Sequence, residues 1–262
     1  VRNIVRFRQM ASILAKHGLG FLLEERGRFR RHLSHLDKGR PTVEQLAIRI
    51  RKVLEELGPT YVKLGQIAST RADLFPPEII RELEKLQDDV PPFAVEEVFR
   101  ILEEEWKKNP REVLQEFEEP SLAAASLGQV HRARLKTGEE VAIKVQRPGI
   151  ERTVEDDLQL LYDLIPVLEK RIKFSHLYPL REVVDELAES LRRELNYLQE
   201  GRNAERIGTR LSPADHVRVP QVHWDYTTRR VLVMEYVEGI RVGDVQALRE
   251  AGVDTRMLAG RL

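Results

Sequence analysis

Residues 139–149 read EEVAIKVQRPG, and the fold turns on how that stretch is read. Val141, Ile143 and Val145 alternate with Ala142 and Lys144, which is the two-residue period of a strand with one apolar face. GQVHRARL (128–135) precedes it with apolar Val130, Ala133 and Leu135, and the KTG between the two runs is a turn signal. A lysine inside an apolar strand is costly to bury without a counter-charge, so Lys144 calls for a glutamate on a packed helix. Taken alone, the stretch also suits an edge strand whose lysine points to water. Just upstream lies SLAAASLGQVH (121–131), a small-residue turn leading into the first of the two strands.

Composition bounds what surrounds these strands. With 262 residues the chain has room for one large domain or two small ones, and 33% charged residues imply many exposed helical faces. There is no cysteine, which excludes disulfides, thiolate metal ligands and a cysteine nucleophile. No run of about 18 apolar residues occurs, so nothing reads as a bilayer span. The chain starts at Val1 without a signal-peptide pattern, and a trimmed N-terminus is expected. The histidines (His17, His32, His35, His131, His176, His216, His223) lack zinc-ligand spacing, so no metal site is expected. Charge is balanced overall but not locally: residues 1–40 carry ten Lys/Arg against three Asp/Glu. Such an arm suits an anionic lipid surface or nucleic acid, or a solvated helix that pairs with the acidic remainder. Few aromatics lie beside it, so nucleic acid is not expected as a partner.

The first 110 residues read as helices. In TVEQLAIRIRKVLEEL (42–57), Val43, Leu46, Ala47, Ile50, Val53, Leu54 and Leu57 share one face, and Gly58-Pro59 stop it. Further helices are expected from Pro59 to about Ala72, at about 77–88 and at 94–108. LQEF (114–117) opens the strand region. Two long helical patterns follow, 151–173 with a kink expected at Pro166, and 179–207 as one helix. VRVPQVHWDY (217–226) and RRVLVMEYV (229–237) return to strand character, and a short helix starts near Val242. Trp106 and Trp224 read as packing residues.

Val141-Ala142-Ile143-Lys144 resembles the protein-kinase strand that presents a lysine to the α- and β-phosphates of ATP. VLVMEYVEG (231–239) resembles the strand that leads out of a kinase N-lobe. On that likeness Met234 lines the back of the pocket, while the Glu235 carbonyl and the Val237 N–H face adenine. The wider set KLGQIASTRADLFPPEI (63–79), AAASLGQVHRARL (123–135), VAIKVQRPGI (141–150), ELNYLQEGRNAERI (194–207) and VLVMEYVEG occurs in one order. Together these resemble the UbiB family of atypical kinases, which support ubiquinone and other isoprenoid-quinone pathways in bacteria, mitochondria and plastids.

The resemblance implies an alanine-rich loop in place of the kinase glycine-rich one, here Ala123, Ala124, Ala125 and Ser126, above nucleotide-contacting Val130 and Ala142. Alanine lacks glycine's freedom at positive φ and adds a methyl group, so the phosphate cradle should be stiffer. It implies that the KLGQ helix folds over the active site and projects Lys63 and Gln66 into it. By family position Glu200 pairs with Lys144, and Glu194 with Lys63. Read as one helix, Glu194 and Glu200 lie about 120° apart in direction and can serve different lysines. Periodicity alone leaves Glu186, Glu189 and Glu205 as rivals for Lys144. The family often has Glu-x-Asp where this chain has Glu194-Leu195-Asn196, which puts a metal or lysine role there in doubt.

The expectation is therefore an α+β structure: a protein kinase-like N-lobe with a small antiparallel sheet, carrying an N-terminal all-helical extension. Residues 1–110 form the extension, 111–239 the N-lobe with an inserted helix, and 240–262 the start of a truncated C-lobe. No catalytic Asp/Asn loop or metal-binding Asp follows the adenine strand, and Asp244 and Asp254 lack that context. This stretch alone is expected not to turn over ATP efficiently, while the intact protein uses ATP (or ADP) and Mg2+ as a kinase or ATPase. Expected partners are nucleotide, an isoprenoid or quinone lipid or a membrane surface, and quinone-biosynthesis proteins. The expected location is the cytoplasm, at the inner membrane of a bacterium. The competing reading is a noncatalytic, pseudokinase-like scaffold that binds lipid or partner enzymes through its helices.

Overall fold

The computed structural model describes residues 2–20, 42–73, 75–86, 90–171, 180–211 and 217–260. Much of the basic arm, with His32 and His35, lies outside them, as do Leu74, Ile172, His176 and His216.

The first part of the chain is helical: α1 (Arg2–Lys16), α2 (Val43–Leu57), α3 (Pro59–Ser69), α4 (Pro77–Leu83), α5 (Val95–Trp106) and the single turn α6 (Pro110–Val113). Thr42 starts α2 with a capping box. Its hydroxyl accepts from the Gln45 N–H, and its own N–H donates to the Gln45 side chain, both at 3.2 Å. Gly58, at φ 102°, turns the chain between α2 and α3, with Pro59 opening the new helix. Met10, Ile13, Val53, Leu57 and Tyr61 meet Leu160 of a later helix in one apolar cluster. Val43, on the expected core face, is exposed at the open end of its helix.

The basic arm, where described, pairs with the acidic body. Arg6 binds Asp157, and Lys16 and His17 bind Glu56.

The sheet is antiparallel throughout, in the order β1 (Leu114–Phe117), β3 (Gly128–Leu135), β4 (Glu140–Gln146), β5 (Val231–Glu235), with the two-residue β2 (Ala123–Ala124) beside β3. The period-2 pattern sorts its faces. Ala133, Val141, Ile143, Val145, Val231 and Val233 are buried against Val98, Ile101, Leu102 and Trp106 of α5. Burying a side chain of this size contributes roughly 1.5–3 kcal/mol, so this face anchors the sheet. Trp106 also donates its indole N–H to the Tyr226 carbonyl at 2.8 Å.

Three further helices cover the rest: α7 (Ile150–Arg171), α8 (Leu180–Glu194) and α9 (Tyr197–Gly208). The first runs as one element through Pro166. Val154 and Leu158 of α7 pack on Leu187 and Leu191 of α8, with Leu64 and Ile67 of α3 against the same cluster.

Two expectations are corrected here. The pattern 179–207 is two helices, because Asn196 is the N-cap of α9 and its side chain accepts from the Gln199 N–H. The expected strand 217–226 contributes only a bridge from Val222 to Met234. Pro220 has no N–H to give a ladder, and the chain turns where Tyr226 N–H donates to the His223 carbonyl. The short α10 (Val245–Glu250) and α11 (Thr255–Ala259) close the described chain.

Candidate functional site

On the second face of the sheet, the register sets Val130, Lys144 and Leu232 in one row and Arg132, Ala142 and Met234 in the next. α9 lies against this face because Gly201 has no side chain. A Cβ there would stand 3.0 Å from Trp224 and 3.4 Å from both Leu232 and Val222. That close approach carries Glu200, one residue earlier, to Lys144. The lysine Nζ donates to both carboxylate oxygens, at 2.7 and 2.8 Å. Its ammonium also stands 4.7 Å from the centre of the Tyr197 ring. Glu189 pairs instead with Arg193, and Glu205 accepts from the Trp224 indole.

The break before α9 is fastened to the sheet. Gln146, at the end of β4, donates to the Leu195 carbonyl at 2.5 Å, and Tyr197 N–H donates to the Arg229 carbonyl at 3.1 Å. Glu194 therefore ends one helix while Glu200 sits in the first turn of the next, and a shared helical wheel does not apply to them. The two carboxylates serve different lysines all the same: Lys63 of α3 pairs with Glu194. Asn196 carries the cap, a role in which Asn and Asp are about equal.

A cleft of about 650 Å3 opens in front of the Lys144–Glu200 pair. Ala123, Ala125, Ser126, Val130, Glu194 and Tyr197 are among its walls. The alanine-rich turn is closed on itself: Ala125 N–H donates to the Gly128 carbonyl and Arg147 N–H to the Leu127 carbonyl, at 2.8 and 2.9 Å. The Arg147 side chain reaches the carbonyls of Pro91, at 2.9 Å, and Ala125, at 3.4 Å. Burial holds that guanidinium below its usual pKa range.

Several residues expected at the site lie away from this cleft. Ala124 is paired with Gln129 in the ladder. Gln66 turns to the Leu86 carbonyl at 3.4 Å. Ala142 and Met234 continue the same sheet face one row on. Glu235 N–H donates to the Gln221 carbonyl at 2.8 Å while its carboxylate meets Arg218. Val237 is exposed beyond the strand end. Tyr197, Gly128, Gln146 and Arg147 were not singled out from sequence. A tyrosine inside ELNYLQE reads as an ordinary helix residue, and only the split of that helix turns it toward Lys144. Among the described residues no three acidic or histidine side chains cluster as a metal site, and no helix is long and apolar enough to cross a membrane.

The site can now be set beside known proteins. A family model described as the ABC1 atypical kinase-like domain matches residues 85–262. A probable protein kinase UbiB from Marinobacter nauticus is 42% identical over 80% of this chain and 39% of its own length. The chloroplastic protein Activity of BC1 complex kinase 7 from Arabidopsis thaliana is 40% identical over 86% of this chain and 32% of its own. Among solved structures, the complex of Rv3197 with erythromycin from Mycobacterium tuberculosis superposes with a TM-score of 0.52 at 30% identity, over 82% of this chain and 52% of that one. The chain spans between 30% and 40% of the length of the curated relatives it matches. The match over residues 85–262, with relatives at about 40% identity along most of the chain, means that this protein belongs to the ABC1 (UbiB) family of atypical kinase-like proteins.

Proposed function

We propose that this chain binds ATP or ADP, and that it forms the nucleotide-binding part of an atypical kinase or ATPase supporting isoprenoid-quinone lipid biosynthesis at a membrane surface. The observation that carries the nucleotide reading is the Lys144–Glu200 pair facing a cleft of about 650 Å3 beneath the alanine-rich turn. A cleft of that size falls within the roughly 300–1,000 Å3 that small-molecule sites occupy. The residues suit a nucleotide: a cation for phosphate, held by its carboxylate, and the apolar Val130 in the same row.

In this reading Lys144 holds phosphate oxygens and Glu200 orients Lys144. Ala142 and Met234 extend the apolar surface toward adenine, which the Glu235 carbonyl and Val237 N–H would meet. Lys63, through Glu194 and with Gln66 behind it on α3, would gate the approach. Mg2+ would enter on the phosphates and screen their charge in the intact protein. The quinone-lipid role and a station at the inner-membrane surface of a bacterium follow from the family and stand as part of the proposal.

The test is thermal stability with and without MgADP or MgATP. Wild type is expected to melt higher by the linkage of binding to folding, and Lys144→Ala to lose that shift. A shift that survives the substitution would sink the reading. The alanine loop has its own test. Ala124→Gly/Ala125→Gly should change the ATP/ADP preference and raise autophosphorylation of the intact protein. Unchanged values would leave the small residues as a packing choice only.

A further inference from the structure

Within the nucleotide reading above, on which this step rests, we infer that the Tyr197 hydroxyl is a hydrogen-bond donor to the phosphates of the bound nucleotide. Tyr197 is 1% exposed, and its hydroxyl has no hydrogen-bond partner among the described residues. Leaving a buried hydroxyl unpaired is destabilising, so such a group calls for a reason. The chain's other tyrosine hydroxyls at helix contacts do have partners: Tyr61 reaches the Met10 sulfur at 3.9 Å, and Tyr162 donates to Asp185 at 2.6 Å.

Position supplies the reason. The ring faces the Lys144 ammonium, and the residue forms part of the cleft wall. The hydroxyl lies directly under the alanine-rich turn, where a Cβ on Gly128 would come within 2.5 Å of it. Glycine at 128 thus lets the chain pass close to both the Val145 carbonyl, which a Cβ would also meet at 2.5 Å, and a hydroxyl that has no partner among the described residues. A second unpaired buried atom, the Arg147 Nε, belongs to the residue that clamps the same turn. An unpaired donor in the cleft wall, with its ring against a lysine ammonium, describes a corner suited to an anion.

For phosphate to reach the hydroxyl, the turn from Ala125 to Gly128 must lift. Arg147 resists this through two contacts, its N–H to the Leu127 carbonyl at 2.9 Å and its guanidinium to the Ala125 carbonyl at 3.4 Å, and both must open. The phenol stays protonated as a donor, since burial, then Glu200 and Glu194, push its pKa up.

The experiment is calorimetric titration of adenosine, MgADP and MgATP into wild type, Tyr197→Phe and Tyr197→Leu, with melting curves of each free protein. Tyr197→Phe is expected to melt no lower than wild type, because it removes an unpaired group. It should bind MgADP and MgATP about tenfold more weakly, as for the loss of one hydrogen bond to a charged partner, and adenosine unchanged. Tyr197→Phe binding all three like wild type overturns the inference. So does an equal loss for adenosine, which would make the hydroxyl structural. Weakening in Tyr197→Leu but not in Tyr197→Phe would assign the effect to the ring under Lys144 and also overturn it. A wild type that binds no nucleotide removes the nucleotide reading itself, and the wild-type curve alone distinguishes that case.

Discussion

Arg6–Asp157 and Lys144–Glu200 join residues 151 and 56 positions apart, and each has two short nitrogen–oxygen contacts. What surrounds them differs. Asp157 is fully buried, and Arg6 also donates to the Leu57 carbonyl and the Gln9 side chain, both at 2.8 Å. Lys144 and Glu200 keep 30% and 39% of their side-chain surface exposed and face open space. The first pair is closed, with every strong partner inside the protein. The second is open, with capacity left for a ligand. Lys63–Glu194 belongs with the open type, its glutamate side chain 41% exposed at the cleft. A closed pair fixes where α1 sits on α7. An open pair fixes little and keeps a charge available.

The sharpest way to break this contrast is to remove one member of each pair. Arg6→Met leaves a buried carboxylate uncompensated and is expected to lower stability by about 3 kcal/mol, read by urea unfolding. The double variant Arg6→Met/Asp157→Leu should recover most of that loss, since apolar replacement of both members of a buried pair is often neutral. If Arg6→Met unfolds at the wild-type urea concentration, the pair is not closed in solution. Lys144→Ala, in the same assay without nucleotide, should change stability by no more than about 1 kcal/mol, as for exposed ion pairs. A loss as large as that of Arg6→Met would make Lys144–Glu200 a structural pair and remove the contrast.

The sequence carried the open pair better than the closed one. Lys144 stands out because a charge interrupts an alternating apolar strand, and Glu200 because the family places a glutamate there. Asp157 gives no such signal. It lies in a helix where an acidic residue normally faces solvent, and its partner is 151 residues away. The alternating strands β3, β4 and β5 and the capped helix α2 were legible because period and cap are local properties. The break between α8 and α9 was not, because Leu191, Leu195 and Leu198 keep helical spacing straight across it. What overrides that spacing is the Asn196 cap together with a tertiary contact: Gln146 takes the Leu195 carbonyl that would otherwise continue the helix. Tyr197 turns toward Lys144 through that same break, so the unpaired hydroxyl was hidden with it.

His131 extends the closed type to a neutral group, and its effect should be the smallest. It is 1% exposed and stacks on Phe117, with ring centres 4.8 Å apart. The Gln129 amide binds the Phe93 backbone at both ends, which fixes its orientation: its oxygen accepts from the Phe93 N–H and its nitrogen donates to the Phe93 carbonyl. That nitrogen also lies 2.8 Å from His131 Nε2, so Nε2 must accept, and Nδ1 carries the proton to the Glu118 carbonyl at 3.0 Å. Protonation would set two donors against each other. Burial lowers the pKa of His131, and the Glu118 carbonyl opposes that only in part. The unfolded chain therefore takes up this proton more readily than the folded one, and stability falls as pH drops below the unfolded value of about 6.5. Above that pH the contribution is fully present. Urea unfolding at several pH values between about 5 and 8 isolates it, because the other histidines are common to wild type and to His131→Gln. Wild type should lose more stability than the variant on acidification. Parallel pH profiles would mean that the ring accepts the second proton in place, and that the Gln129–His131 network is open rather than closed.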